Sequence, residues 1–158
     1  MAATLEWRYT GGGANSDPDA SLGGTASSEA VVAGPLNNLF DNTTPAEATA
    51  GDVEYRAISL YNDGDATGKV IEIWLSTETP SSDSVIAISL DSGVQSIVDE
   101  DTAPTEGGIS WVHPLTGSKQ AISDIAAAGA QRIWIRRTIS NSAGNYADDL
   151  VQISVQYA

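Results

Sequence analysis

The sequence contains no cysteine, one histidine and only 7 lysine and arginine residues among 158. Without cysteine there are no disulfide bonds, no thiolate metal ligands and no cysteine nucleophile, so stability must come from packing. No apolar run approaches the roughly 18 residues of a transmembrane helix. The first residues, MAATLEWRYT, lack a basic stretch followed by an apolar one. We therefore expect neither secretion by a standard signal nor insertion into a membrane.

Acidic side chains dominate the charge, with 21 Asp and Glu and a formal net charge of −14. Lys and Arg are the groups that bind phosphate backbones and anionic lipids, so neither a nucleic acid nor a membrane is an expected partner. An acidic excess keeps copies apart in solution and favours a neutral or basic protein surface as the partner. A chain of 158 residues has the length of one domain that can bury an ordinary core.

Short segments rich in β-branched and aromatic residues, bounded by Gly, Asn, Asp, Ser and Pro, indicate β-strands. We predict strands at Leu5 to Tyr9, Glu29 to Val32, Val53 to Tyr61, Lys69 to Ser76, Val85 to Leu90, Gln95 to Val98, Ile109 to Val112, Arg132 to Ile139 and Leu150 to Tyr157. The candidates for helical turns are Pro35 to Asp41 and Ile122 to Ala130. The NDGDATG stretch after Tyr61 is predicted to be a hairpin loop.

Alternation within the strands predicts which face is buried. In KVIEIWLS the isoleucines and Leu75 are predicted to face the core, with Trp74 facing away. In QRIWIRRTI the isoleucines point inward, whereas Trp134 and Arg136 share the opposite face. Periodicity does not choose between a plain β-sandwich and a jelly roll. We predict an all-β fold: a single-domain antiparallel β-sandwich, jelly-roll-like, with an extended N-terminal segment.

Two acidic segments raise the question of a bound cation. Oxygen-bearing side chains alternate from Asn15 to Ser21, as in the first half of an EF-hand loop. The sixth position is Ala20 where glycine is required, and the twelfth is Ala26 where a bidentate glutamate is required. We favour a solvated Asx-rich turn, interpret VDEDTAP (98–104) as a solvated loop with a loop cation as its alternative, and predict no metal and no cofactor.

The sequence offers few candidate catalytic residues. His113 precedes Pro114 at a predicted strand exit, which is typical of a turn histidine. The sequence has no G-x-S-x-G nucleophile elbow, and the glycines at 11–13 are not followed by the Lys-Ser/Thr of a phosphate loop. No catalytic residue is predicted, and the chain is not expected to be an enzyme.

Several blocks are distinctive in combination: LEWRY followed by GGGANSDPDASLGG, then LNNLFD, AGDVEYRAI, IWLSTETPSSD, DEDTAP and IWIRRTIS. Together, along nearly the whole chain, they resemble a family of small virion structural proteins of tailed bacteriophages. The resemblance implies a decoration or cement protein on the outer surface of the head, made in the host cytoplasm. Its partners would be the major capsid protein and further copies of itself, with a trimer favoured. A neck or tail component is the alternative.

The chain is predicted to divide into an N-terminal segment, 1–28, and a β-sandwich domain, 29–158. In one hypothesis the N-terminal segment is an arm, in which Leu5, Trp7 and Tyr9 add a strand to a neighbour or pack in its groove. The alternative is an ordinary first strand followed by a long Gly/Asx-rich loop within one subunit.

Five further residues are predicted to lie at subunit or capsid contacts. Leu36 and Leu39 are apolar groups in a polar stretch, and an exposed one would mark a subunit seam. The outward Trp74 and Trp134, with Arg136 beside the latter, suit an interface. From a different functional class, the alternative is a carbohydrate-binding β-sandwich module that stacks sugars on the two tryptophans.

Overall fold

A computed structural model describes residues 2–34, 37–78, 81–144 and 150–158. Within these ranges the chain forms eight strands and one short helix: β1 (Leu5–Thr10), β2 (Ala26–Ala30), α1 (Pro45–Ala50), β3 (Asp52–Asn62), β4 (Ile71–Glu78), β5 (Ser84–Asp91), β6 (Gln120–Ile122), β7 (Ala130–Ile139) and β8 (Val151–Gln156). In this part of the chain no helix is long and apolar enough to cross a membrane.

The strands form two antiparallel sheets, which confirms the prediction of an all-β fold. The large sheet has the order β2-β1-β3-β7-β5, and the small sheet has the order β6-β4-β8. The strand pairs are antiparallel in both sheets. Such a sheet leaves each strand with one face for the core and one for solvent or covering loops.

One hydrophobic core lies between the facing sides of the two sheets. Its fully buried members include Leu60 of β3, Ile73 of β4, Ile88 of β5 and Ile133 of β7. Each such side chain contributes about 1.5–3 kcal/mol by leaving water. The inward direction predicted for the isoleucines of β4 and β7 and for Leu75 is confirmed.

Two predicted strands are loops in the structure. Gln95 to Val98 makes a single bridge, between Ser96 and Gly23, and Ile109 to Val112 makes one between Val112 and Ile88. A strand needs consecutive ladder bonds, which neither segment has. The short β6 strand was not predicted, because its last residue, Ile122, begins the segment interpreted as a helical turn.

The helical turns are also placed differently. Ile122 to Ala130 is not helical, and neither is the described part of Pro35 to Asp41, whose first two residues lie outside the described ranges. The helix is α1 instead, which begins after Thr44. The Thr44 hydroxyl accepts a hydrogen bond from the Glu47 amide, and the Glu47 carboxylate accepts one from the Thr44 amide. This capping box is visible in the sequence as T-P-A-E.

The NDGDATG stretch is not a hairpin loop, because it carries the chain from β3 in the large sheet to β4 in the small sheet. Asn62 holds this crossover. Its buried side-chain amide donates to the Ala66 and Ile125 carbonyls, and its Oδ1 accepts from the Thr4 and Gly64 amides. The Asn and Gly content therefore indicated a turn correctly. The turn, however, connects strands of two different sheets, whereas we had predicted that it connects two paired strands.

One side of the two-sheet core is bridged by the segment 110–115. β5 is an edge strand of the large sheet, and its Ile88 exchanges two backbone hydrogen bonds of 2.8 Å with Val112. A few residues later, the Leu75 amide of β4 donates to the Pro114 carbonyl at 2.8 Å. The segment thus connects the edge of the large sheet to the small sheet on this side.

Candidate functional site

The N-terminal residues predicted to contact a neighbour lie within the sheet of their own chain. β1 lies between β2 and β3, with Trp7 opposite Leu60. Both of its edges are therefore paired within the chain, which is the arrangement of the alternative, an ordinary first strand followed by a loop. Tyr9 is buried, whereas Leu5 and Trp7 are half-buried against the core. The boundary predicted at residue 28 falls inside β2.

The Gly-rich loop, residues 11–24, folds back along the large sheet of its own subunit. The buried Ser21 hydroxyl donates to the Ala57 carbonyl at 2.7 Å. Within the loop, the Asn15 Oδ1 accepts from the Asp17 amide two residues on, at 3.0 Å. This is the Asx turn that we favoured over a calcium loop.

Trp134 lies on the outer face of the large sheet, the face turned away from the small sheet, but it is 0% exposed. Leu22 and Ile97 from two loops pack in the same outer cluster. The indole N–H donates to Asp91 Oδ2 at 2.8 Å, and Arg132 Nε donates to the same oxygen at 2.9 Å. Trp134 is thus covered by its own chain, which corrects its prediction as a contact residue and as a sugar-stacking surface.

Sequence reasoning placed Arg132 on the outward face but missed Asp91 and the ion pair between the two, which holds the loops over this face. The side chains of Asp91 and Arg132 are 0% and 4% exposed. Besides its pair with Asp91, Arg132 donates to the carbonyls of Gly24, Gln95 and Gly93, which lie in the two covering loops. The sequence does contain a signal for this ion pair. Asp91 is the last residue of β5 and faces outward, and β5 lies next to the strand that contains QRIWIRR.

Arg136 and Trp74 complete the predicted outward groups. The Arg136 guanidinium lies 4.9 Å from the centre of the Trp111 ring, which in turn contacts Tyr55. Trp74 faces away from the core in the small sheet, and Lys119 Nζ lies 4.3 Å from its ring centre. Because Trp74 and Trp134 lie in different sheets, they do not form the shared platform that sugar stacking on both would require.

The apolar pair predicted in the stretch before α1 is described only in part. Leu36 lies outside the described residues. Leu39 is half-buried against the core, and its carbonyl accepts from Arg56 Nε at 3.2 Å. The neighbouring Phe40 ring lies near the guanidinium groups of Arg56 and Arg137, 5.7 and 4.8 Å from its centre. This stretch therefore covers the inner face of the large sheet at a charged end of the core.

Two groups of three carboxylates at this end have ligand atoms within 4.8 Å of one another: Asp41, Glu54 and Glu100, and Glu47, Asp52 and Glu54. Arginines pair with every member of the first group, Arg137 with Glu54 and Asp41 and Arg56 with Glu100. In the second group, Glu54 is the member that an arginine pairs with. Burial raises the pKa of Glu54, and the hydrogen bond from Arg137 opposes this only in part. We assign no cation here.

His113 uses both ring nitrogens in contacts within its own chain. Nδ1 lies 2.6 Å from the Ile86 carbonyl oxygen, and Nε2 lies 3.1 Å from the Glu78 carboxylate. These contacts attach the loop that carries His113 to β5 and β4. The geometry is that of a turn histidine.

The VDEDTAP segment is largely exposed, as expected of a solvated loop. Thr102 Oγ1 donates to Asp99 Oδ1 at 2.5 Å, and Val98 is 85% exposed. A shallow groove of 340 Å³ lies between this segment and residues 95–97. The groove was not predicted.

Comparison with protein-family models, curated proteins and solved structures finds no match to this chain. A function must therefore be argued from the sequence and the geometry. What the described residues offer is a covered outer face, two buried ion-pair networks and an acidic exterior.

Proposed function

We propose that this chain is a non-enzymatic virion structural protein of a tailed bacteriophage, which decorates the outside of the head and stabilises it by bridging subunits of the major capsid protein. The fold we infer for it is a jelly-roll-like β-sandwich. The proposal starts from the resemblance of the sequence blocks. It is supported by the ion pairs that the basic side chains form within the chain, which leave an excess of acidic groups.

The distribution of charge is the observation that carries the proposal. Of the 7 basic residues, five form ion pairs with acidic groups of the same chain: Arg8, Arg56, Lys119, Arg132 and Arg137. Most basic side chains are therefore paired with acidic groups of the same chain, and the carboxylates that remain in excess make the surface acidic. Such a surface repels a packaged genome and associates with a basic or neutral shell.

The mechanism we propose is mechanical. A small domain that spans the junction of shell subunits adds contacts that must break before the shell opens. Copies that are joined to one another bind more tightly than single copies, because the binding of one raises the effective concentration of the others at the shell. The covered outer face and the buried arginine networks supply the rigid body that such a bridge needs.

The copy number of the protein in purified virions, measured against the major capsid protein by quantitative mass spectrometry, tests the proposal. A ratio approaching one supports decoration of the head. A few copies per particle moves the protein to the neck or tail. Its absence from virions contradicts a structural role.

The electrostatic part of the proposal has its own test. Particles that lack the protein are mixed with the purified chain, and bound protein is measured at rising ionic strength. We expect binding to weaken as salt screens the attraction between the acidic chain and the shell. Added protein should also raise the temperature at which the particles release DNA. Binding that is unchanged by salt contradicts the charge argument.

A further inference from the structure

The outer edge of the small sheet is open at β8. β8 (Val151–Gln156) pairs with β4 along one side. Among the residues that the structure describes, no backbone hydrogen bond joins its other side to another segment. The N–H and C=O groups of such an edge readily pair with a further strand.

The other edges are protected within the chain. At β2, the Ser28 amide donates to the Gly13 carbonyl at 2.9 Å. At β5, Ile88 pairs with Val112. At the far side of the small sheet, β6 has only three residues, and beyond it Leu115 bridges to β4. The open edge at β8 is thus a distinct feature in the described part of the chain.

β8 also lacks the devices by which edge strands usually avoid pairing. Its sequence, VQISVQ, contains no lysine, no proline and no charged residue. In a chain with a net charge of −14, this strand is an uncharged strip, so two copies that meet along it bring no like charges of β8 together.

The apolar side of β8 is incompletely covered. Val151, Ile153 and Val155 are half-buried and pack against the same core as the half-buried Leu5 and Trp7 of β1. The small sheet has three strands and the large sheet has five, and the side towards β5 is already bridged. A further strand beside β8 would extend the small sheet over this uncovered side.

We propose that β8 pairs antiparallel with β8 of a second copy, so that the two small sheets join into one six-stranded sheet. A two-fold axis perpendicular to the sheet, which we place between the two copies of Ser154 near the middle of the strand, makes the paired strands antiparallel and keeps the apolar rows of both copies on the same side. The alternation of β8 fits this symmetry. Ile153 then lies against the apolar row of the second copy, while Gln152 and Ser154 lie among its polar groups.

The contact is independent of the proposed virion role, and it gives a dimer rather than the trimer that the resemblance implies. One six-residue strand pair is small beside the interfaces of permanent dimers, so the dimer is expected to be weak in free solution. Because the strands are uncharged and the chains are acidic, salt should strengthen the dimer by screening the repulsion.

Sedimentation velocity of the full chain, from micromolar to millimolar concentration and at low and high salt, tests the proposal. We expect a monomer–dimer equilibrium that salt shifts towards the dimer. Ser154→Lys places like charges close together across the axis, so its dimer dissociation constant should rise by about tenfold or more. Ala121→Lys is the matched control, because it adds the same charge to the outward face of β6 at the opposite edge. Its dimer should persist.

The absence of cysteine allows a second test that does not rely on weakening the contact. Under mild oxidation, Ser154→Cys should give disulfide-linked dimers, whereas Ala121→Cys should not. Three results would overturn the proposal: a monomer at every concentration, an oligomer that Ser154→Lys leaves unchanged, or equal cross-linking of the two cysteine variants. Thermal melting of each variant confirms that it is folded.

Discussion

The indole nitrogen of Trp134 donates to Asp91 Oδ2 across 2.8 Å, on the side of the large sheet that faces away from the core between the sheets. Asp91 also accepts from Arg132 at 2.9 Å and, through Oδ1, from the Gly93 amide. A carboxylate with this many donors tolerates burial, because each hydrogen bond replaces one to water. The hydrogen bond between Trp134 and Asp91 therefore allows both side chains to be buried beneath the loops that cover the outer face of the large sheet.

Replacing Asp91 should reveal how much this network contributes. In Asp91→Asn the buried Arg132 loses its charged partner, and the free energy of unfolding should fall by about 3 kcal/mol. Urea unfolding measures the change. Asp124→Asn removes the same charge from an exposed loop and should cost no more than about 0.5 kcal/mol. Similar losses in the two variants would show that Asp91 does not anchor the network.

The approach of the Gly-rich loop to Trp134 depends on Gly23. This residue has a φ of +97°, and a Cβ added there would overlap the Gln95 carbonyl and lie 2.9 Å from the Trp134 ring. Gly23→Ala should therefore lower the free energy of unfolding by about 3 kcal/mol. Gly34→Ala is matched in φ, at +102°, but has nothing within 4 Å of its Cβ. It should cost only about 1 kcal/mol.

The sequence predicted the faces of the strands but not what covers them. Alternation reports directly which side a residue occupies, so the inward isoleucines of β4 and β7 were found. The cover over Trp134 comes from loops with few apolar residues, such as Leu22, and depends on pairs far apart in sequence, such as Asp91 with Arg132. Likewise, NDGDATG has the same local turn chemistry whether its strands pair or cross between sheets.

Val70, just before β4, is held in a conformation that its side chain opposes. Its φ is +51°, and the residue is 71% exposed. A β-branched residue in this region costs about 1–2 kcal/mol, whereas asparagine tolerates it. Val70→Asn should thus raise the free energy of unfolding by about 1 kcal/mol. Val94→Asn changes an equally exposed valine without positive φ, and an equal gain there would contradict the argument.

The buried Glu54 should give stability a specific dependence on pH. Burial raises the pKa of Glu54 above its ordinary value of 4.5, although Arg137 opposes the shift. The folded state therefore binds this proton more tightly than the unfolded state does. It follows that the contribution of Glu54 to the free energy of unfolding falls as pH rises through the folded-state pKa.

Glu54→Gln removes this titration and leaves the other carboxylates in place. We expect the stability of the variant, relative to the unmodified chain, to rise between pH 4.5 and neutrality, whatever constant loss follows from the unpaired Arg137. Urea unfolding of both proteins across this range measures the difference. A pH-independent difference for Glu54→Gln would mean that Glu54 titrates alike in the folded and unfolded states.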